Sequence, residues 1–193
     1  MIQKFKCLTT SMIMASCLLT GCSLEGSNYN PSEEIQDKAK SAISDYLDQL
    51  DKEETEKDIH NEIHTSTFKL FGMQEVPCSE TDINVWEAYI WQYESGYLPE
   101  SISSNTCEED LSQIKSETGF SIPAKITLEE DKDGMFKAVQ IDRPSDLDYV
   151  SDMEELFPET IRKELEDFSS SSDLADLELQ TTQKACKSAE RIE

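Results

Sequence analysis

The chain has 193 residues, 37% of them hydrophobic and 30% charged, and its 41 acidic against 17 basic side chains give a formal net charge of −24. That length suits one domain with flexible ends. That charge is repelled by DNA, RNA and anionic lipid headgroups, which argues against nucleic-acid binding.

The first element, residues 1–21, has the order of a secretory signal. Lys4 and Lys6 come first, Leu8 to Leu19 are uncharged, and small residues follow. The run of about 12 residues is short of the ~20 that span a bilayer as a helix. Leu19, Thr20, Gly21 and Cys22 close it. These four residues resemble the bacterial lipobox. The resemblance implies cleavage before Cys22 and a diacylglycerol joined to its sulfur as a thioether. Two acyl chains anchor a protein stably where one is marginal. Ser23, where an Asp would retain the protein at an inner membrane, carries no such signal. The expected address is the extracytoplasmic face of a cell membrane, with the mature chain tethered and not embedded. Loss of Lys4 and Lys6 makes that chain two units more negative than the whole.

Residues 22–30 form a tether. Asn30 as N-cap, Pro31 at the first helical position and Glu33 at the third then start a helix. Its apolar stripe, Ile35, Ala39, Ala42, Ile43, Tyr46, Leu47 and Leu50, predicts an amphipathic helix over 31–57. Strands follow at 65–73, 83–93, 120–128 and 136–141. The second alternates: Ile83, Val85, Tyr89, Trp91 and Tyr93 share one face with Glu87 as the exception, while Trp86, Ala88 and Ile90 share the other, so both faces are expected to be covered. Asp131 to Gly134 is a hairpin turn between the last two strands. A long connection, 97–119, precedes the third strand. It holds a capping box at Thr106 to Glu109 and a short helix presenting Leu111 and Ile114 to the sheet. Met153, Leu156 and Phe157, then Ile161, Leu165 and Phe168 after Pro158, make a C-terminal helical segment. The domain is expected to span 31–168. Residues 169–193 are expected to be a polar, disordered tail.

The expected fold class is therefore α+β: an N-terminal helix packed on a four-stranded antiparallel sheet, followed by a C-terminal helix. That topology is similar to the cystatin and nuclear-transport-factor type. The stretches Trp86 to Trp91, Gly119 to Thr127, Arg143 to Asp146 and Leu156 to Ile161 together resemble a small extracytoplasmic domain of uncharacterised Gram-positive lipoproteins. A similar domain lies beyond the membrane in some beta-lactam-sensor-like membrane metallopeptidases. The resemblance covers about 35–168. It departs at Leu147, where the pattern has Gly after Asp146, and in a longer loop around Cys107. It implies no residue-level activity.

Three cysteines remain after lipidation, Cys78, Cys107 and Cys186. Export permits a disulfide. A 78–107 bridge needs the 107 loop to fold back along the strand, and Cys186 could reach either partner. His60-Asn61-Glu62-Ile63-His64 has Asn where the zinc-protease motif has Glu, and residues four apart in a strand stand ~13 Å from one another. Two surface histidines are expected. Glu129, Asp131, Asp133 and Gly134 match the first positions of a calcium loop, but Gln140 stands where the bidentate Glu belongs, so a polar turn is expected. Glu87, if buried, would have a raised pKa and could act as acid or base, but such a residue more often sits at the rim and reaches water. Trp86, Tyr89, Trp91, Tyr93 and Tyr97 are the candidate binding face, against the simpler reading of sheet core. No catalytic residue, metal ligand or cofactor is assigned. The expectation is a non-enzymatic binding module for an envelope protein, peptide or small molecule. The alternative is a sensor with a pocket between helix 31–57 and the sheet.

Overall fold

The computed structural model describes residues 29–77, 83–102, 107 and 110–189. The protein is α+β, with a four-stranded antiparallel sheet in the order β1-β2-β3-β4 and four α-helices among the described residues. The chain runs α1 (Glu33–Lys57), β1 (Ile63–Val76), β2 (Asn84–Tyr97), β3 (Thr118–Glu130), β4 (Phe136–Asp142), α2 (Tyr149–Leu156), α3 (Glu159–Ser169) and α4 (Asp173–Ala189). None of the described helices is long and apolar enough to cross a membrane.

Helix α1 forms where its stripe requires, and its charges suit the helix dipole: Glu33 and Glu34 open it and Lys57 closes it. The cap differs from expectation. Ser32, not Asn30, accepts the backbone N–H of Ile35. Ala39, Ile43 and Leu47 pack on Met73, Ala88, Ile90, Ala124, Ile126 and Leu128, all fully buried. Each fully buried side chain of the larger kind is worth about 1.5–3 kcal/mol. The other face of the sheet carries a second core, in which Tyr89 and Trp91 meet Met153, Phe157, Ile161, Leu165, Phe168 and Leu177. The sheet is thus sandwiched between α1 and three C-terminal helices.

Strands β1 and β2 pair along their whole length, Ile63 with Tyr97 through Val76 with Val85, with a bulge between Leu70 and Gly72. The bulge lets Tyr29 dock: a Cβ on Gly72 would lie 2.9 Å from the Tyr29 Cβ, and the Tyr29 carbonyl accepts the Met73 N–H at 2.7 Å. Part of the expected tether is therefore held on the domain.

Residues 169–193, expected as a disordered tail, are instead helical over Asp173–Ala189. The stripe that buries α4 is Leu177, Thr181, Thr182, Ala185 and Cys186. Most of it is small or hydroxylated, so it reads as polar, but the hydroxyls are satisfied. Thr181 donates to the Leu177 carbonyl at 2.8 Å, and from β1 Thr65 donates to the Thr181 carbonyl and Thr67 to that of Leu177. A disulfide between Cys107 and Cys186 staples α4 to the β2–β3 connection. In that connection Ile102 and Ile114 join Ile63, Tyr97 and Ala185 in a third small core. Of the expected short helix, Leu111–Gln113 forms one 3-10 turn capped by Asp110; Thr106, Glu108 and Glu109 lie outside the described residues.

Candidate functional site

The five aromatic residues of the expected binding face do not form an open surface. Tyr89 and Tyr97 are 1% exposed and Trp91 is 7% exposed, because α2, α3 and α4 cover that side of the sheet. Trp91 donates its indole N–H to Ser121 Oγ at 2.7 Å and stacks edge-on against Phe168. Tyr93 packs half-buried at the rim of the same core, and Tyr97 pairs its hydroxyl with Thr182. Trp86 lies on the opposite face, where its N–H reaches Glu130 and its ring meets Phe136.

Glu87 sits partly exposed beside Lys125, which fits the rim reading and not the buried acid–base one. Burial alone raises its pKa, but Gln74 and Lys125 donate to it, the Lys125 charge adds to that, and Tyr89 donates its hydroxyl; together these hold the carboxyl below its ordinary value. A lowered folded-state pKa stabilises the fold above the ordinary carboxylate range, and that contribution is lost as pH falls through the lowered value. Glu87→Gln is therefore expected to cost about 1–2 kcal/mol at neutral pH. The difference from the unsubstituted protein should shrink as pH falls through that lowered value. Thermal unfolding across pH checks this, and a gap that widens in acid would contradict it.

On the α1 face, a polar seam replaces the core near the C-terminal end of the helix. Lys184 from α4 pairs with Asp48 and Asp51 and donates to the Ser66 carbonyl at 2.7 Å. Asp51 accepts the Ser66 N–H at 2.7 Å and its hydroxyl at 2.5 Å. Gln92 continues the line, donating to Ser66 and accepting two hydrogen bonds from Arg143, at 3.0 and 2.8 Å. Beside the seam, Leu50, Asp51 and Glu54 of α1 face Glu94, Phe120 and Arg143 across a cleft of about 290 Å³. Arg143 sits over the Phe120 ring, 5.1 Å from its centre. Burial, then the nearby Asp51, pushes the Glu94 carboxyl up, and burial pulls Arg143 down. Glu53 and Lys57 complete the lining, so acids outnumber bases and the cleft favours a cationic group.

At the corner where α1 gives way to β1, Asp58, Glu62 and His64 converge. One ligand atom from each lies within 4.8 Å of the others. The corner is built locally. Asp58 Oδ1 accepts the N–H groups of His60, at 2.6 Å, and Glu62, at 3.2 Å, and Asn61 takes the left-handed conformation at φ 58° that the reversal needs. The expectation of two surface histidines holds for one of them. His60 is exposed, but the His64 side chain is only 8% exposed. Its Nε2 faces Asp58 Oδ2 at 3.6 Å and its Nδ1 faces Glu94 Oε1 at 3.5 Å, and neither nitrogen has a hydrogen-bond partner among the described residues. Glu62 is 4% exposed and accepts the Thr118 hydroxyl at 2.5 Å. Gly96, paired with His64 across the strands, leaves room for these groups: a Cβ there would collide with the Glu62 and Thr118 oxygens. The sequence carries one signal for this cluster, four ligand-type residues in seven positions, Asp58, His60, Glu62 and His64. The strand spacing of the two histidines hides it, because the side chains that converge on His64 are Asp58 and Glu62 and not His60.

The calcium-like turn is a turn in structure too. Asp131 Oδ1 accepts the N–H groups of Asp133 and Met135, and Gly134 takes the positive φ of 71°. Leu19, Thr20, Gly21, Cys22 and Cys78 lie outside the described residues. No protein-family model matches the chain, and no curated protein matches it either.

Proposed function

We propose that this protein is a lipid-anchored module on the extracytoplasmic face of a cell membrane, and that it works by binding an envelope protein or peptide and not by catalysis. One observation carries the reading: Leu19-Thr20-Gly21-Cys22 directly after the uncharged run Leu8 to Leu19. The Cys107–Cys186 bridge supports it, since disulfides persist in oxidising compartments. With Cys22 acylated and Tyr29 seated on the sheet, the seven intervening steps reach at most about 25 Å, so any partner must be met close to the membrane. The kinship with the small extracytoplasmic domain of Gram-positive lipoproteins, and with the cystatin or nuclear-transport-factor type, belongs to this reading. The lie of α1 along an antiparallel sheet supports it, and the three helices on the opposite face are an elaboration.

The sensor alternative is favoured by the cleft between α1 and the sheet, whose 290 Å³ is at the lower end of the roughly 300–1,000 Å³ of small-ligand sites. Its acidic lining suits a small cation-bearing ligand.

Labelling of expressing cells with a palmitate analogue tests the anchor. The unsubstituted protein should be labelled and sediment with membranes, and Cys22→Ser should lose the label and move to the soluble fraction. An unlabelled protein, or equal membrane retention of the variant, would remove the address and the partner class together.

A further inference from the structure

We propose that Asp58, Glu62 and His64 form a binding site for a divalent cation of the zinc class, with Glu94 as the carboxylate that orients His64. Four features support the assignment. The three donor atoms already converge within 4.8 Å of one another. His64 is more than nine-tenths buried, yet among the described residues both ring nitrogens lack a hydrogen-bond partner, which is rare for buried polar atoms. Its Nε2 stands 3.6 Å from Asp58 Oδ2. That is long for a hydrogen bond. It is close to the ~3.3 Å edge that metal bonds of about 2.0–2.1 Å set between neighbouring ligands. Finally, Nδ1 faces Glu94, the arrangement in which an outer carboxylate fixes the tautomer of a metal-bound histidine.

Charge points the same way. Asp58, Glu62 and Glu94 crowd one imidazole, and the described partner of the buried Glu62 carboxylate is a neutral hydroxyl, that of Thr118. A protonated His64 would offset one negative charge; a divalent cation offsets two. Buried charge is costly unless compensated in this way. The donor set is one nitrogen and two carboxylates. Calcium and magnesium take oxygen ligands, whereas imidazole with carboxylate suits zinc. Three protein ligands leave one position for water or for an oxygen of a bound partner. Glu94 also lines the cleft under α1, and Glu94 and Thr118 both line a shallow depression beside β3, so the cation has a route in.

The test is zinc titration of the purified full chain in a large excess of Mg²⁺, which occupies the surface carboxylates. The unsubstituted protein should bind one equivalent of Zn²⁺. His64→Gln should weaken binding at least 100-fold, and Glu94→Gln about 10–100-fold. His60→Gln and Asp131→Asn should bind as the unsubstituted protein does. Zinc should also raise the unfolding temperature of the unsubstituted protein and not that of His64→Gln. If His64→Gln does not fold, X-ray absorption of the zinc-loaded unsubstituted protein and of His60→Gln decides. A shell of four light atoms including one imidazole in both supports the site. Less than a fifth of an equivalent bound, affinity unchanged in His64→Gln, or an imidazole signal that disappears with His60 would overturn it.

Discussion

Trp91→Ala is expected to lower stability by about 3–5 kcal/mol, the range for deleting a large aromatic from a core. Trp91 lies under the C-terminal helices, 7% exposed, with Phe168 edge-on at 5.6 Å and the remainder of the second core around it. Alanine removes the ring, and the sheet on one side and α3 on the other restrict how far the gap can close. The lost hydrogen bond to Ser121 adds little, because Ser121 is exposed and water can replace the indole. At roughly 2–4 °C per kcal/mol for a chain of this size, the unfolding midpoint should fall by about 10 °C. Denaturant and thermal unfolding would show it. A near-neutral result would mean that Trp91 is a surface contact residue and that the second core is not closed over it.

Loss of the Cys107–Cys186 bridge is expected to be of similar size. The bridge spans a sequence separation of 79 residues, and the chain-entropy relation for a loop of that length gives about 4.5 kcal/mol. The effect should be local before it is global. Without the bridge, α4 is held by Leu177, by the threonine hydrogen bonds to β1 and by Lys184 on Asp51, while its C-terminal turns lose their covalent anchor. Reductant, or the double substitution Cys107→Ser with Cys186→Ser, should lower the unfolding midpoint and speed amide exchange across 180–189 ahead of the sheet. A peptide map of the oxidised protein should show Cys107 linked to Cys186. A link through Cys78, or equal midpoints with and without reductant, would contradict the expectation.

The two faces of the molecule differ in how far they are legible from sequence. Strand β2 alternates cleanly, and its period alone assigns Tyr89 and Trp91 to one side and Ala88 and Ile90 to the other, as the two cores bear out. Which side holds a binding surface is not legible, because alternation reports the period of burial and not what does the burying. The answer depends on α4, whose stripe of Thr181, Thr182, Ala185 and Cys186 has almost no hydrophobic signature. Its helix is stabilised by partners far away in the chain: β1 carbonyl and hydroxyl groups, Asp51, and Cys107. Glu87 is a parallel case. Its place on an apolar face suggests a raised pKa, and the cross-strand neighbours Gln74 and Lys125 reverse the sign.

What the sequence determined by itself was local: the amphipathic α1, the four strands and their facing, and the hairpin at Asp131 to Gly134. Each depends on periodicity or on a short run of adjacent residues. The tertiary structure decided what requires distant residues to meet: the closure of the second core by α4, the pairing of Cys107 with Cys186, and the convergence of Asp58, Glu62 and His64 opposite Glu94. Those outcomes depend on strand register and on the turn at Asn61, where a shift of one residue would carry His64 to the other face of the sheet.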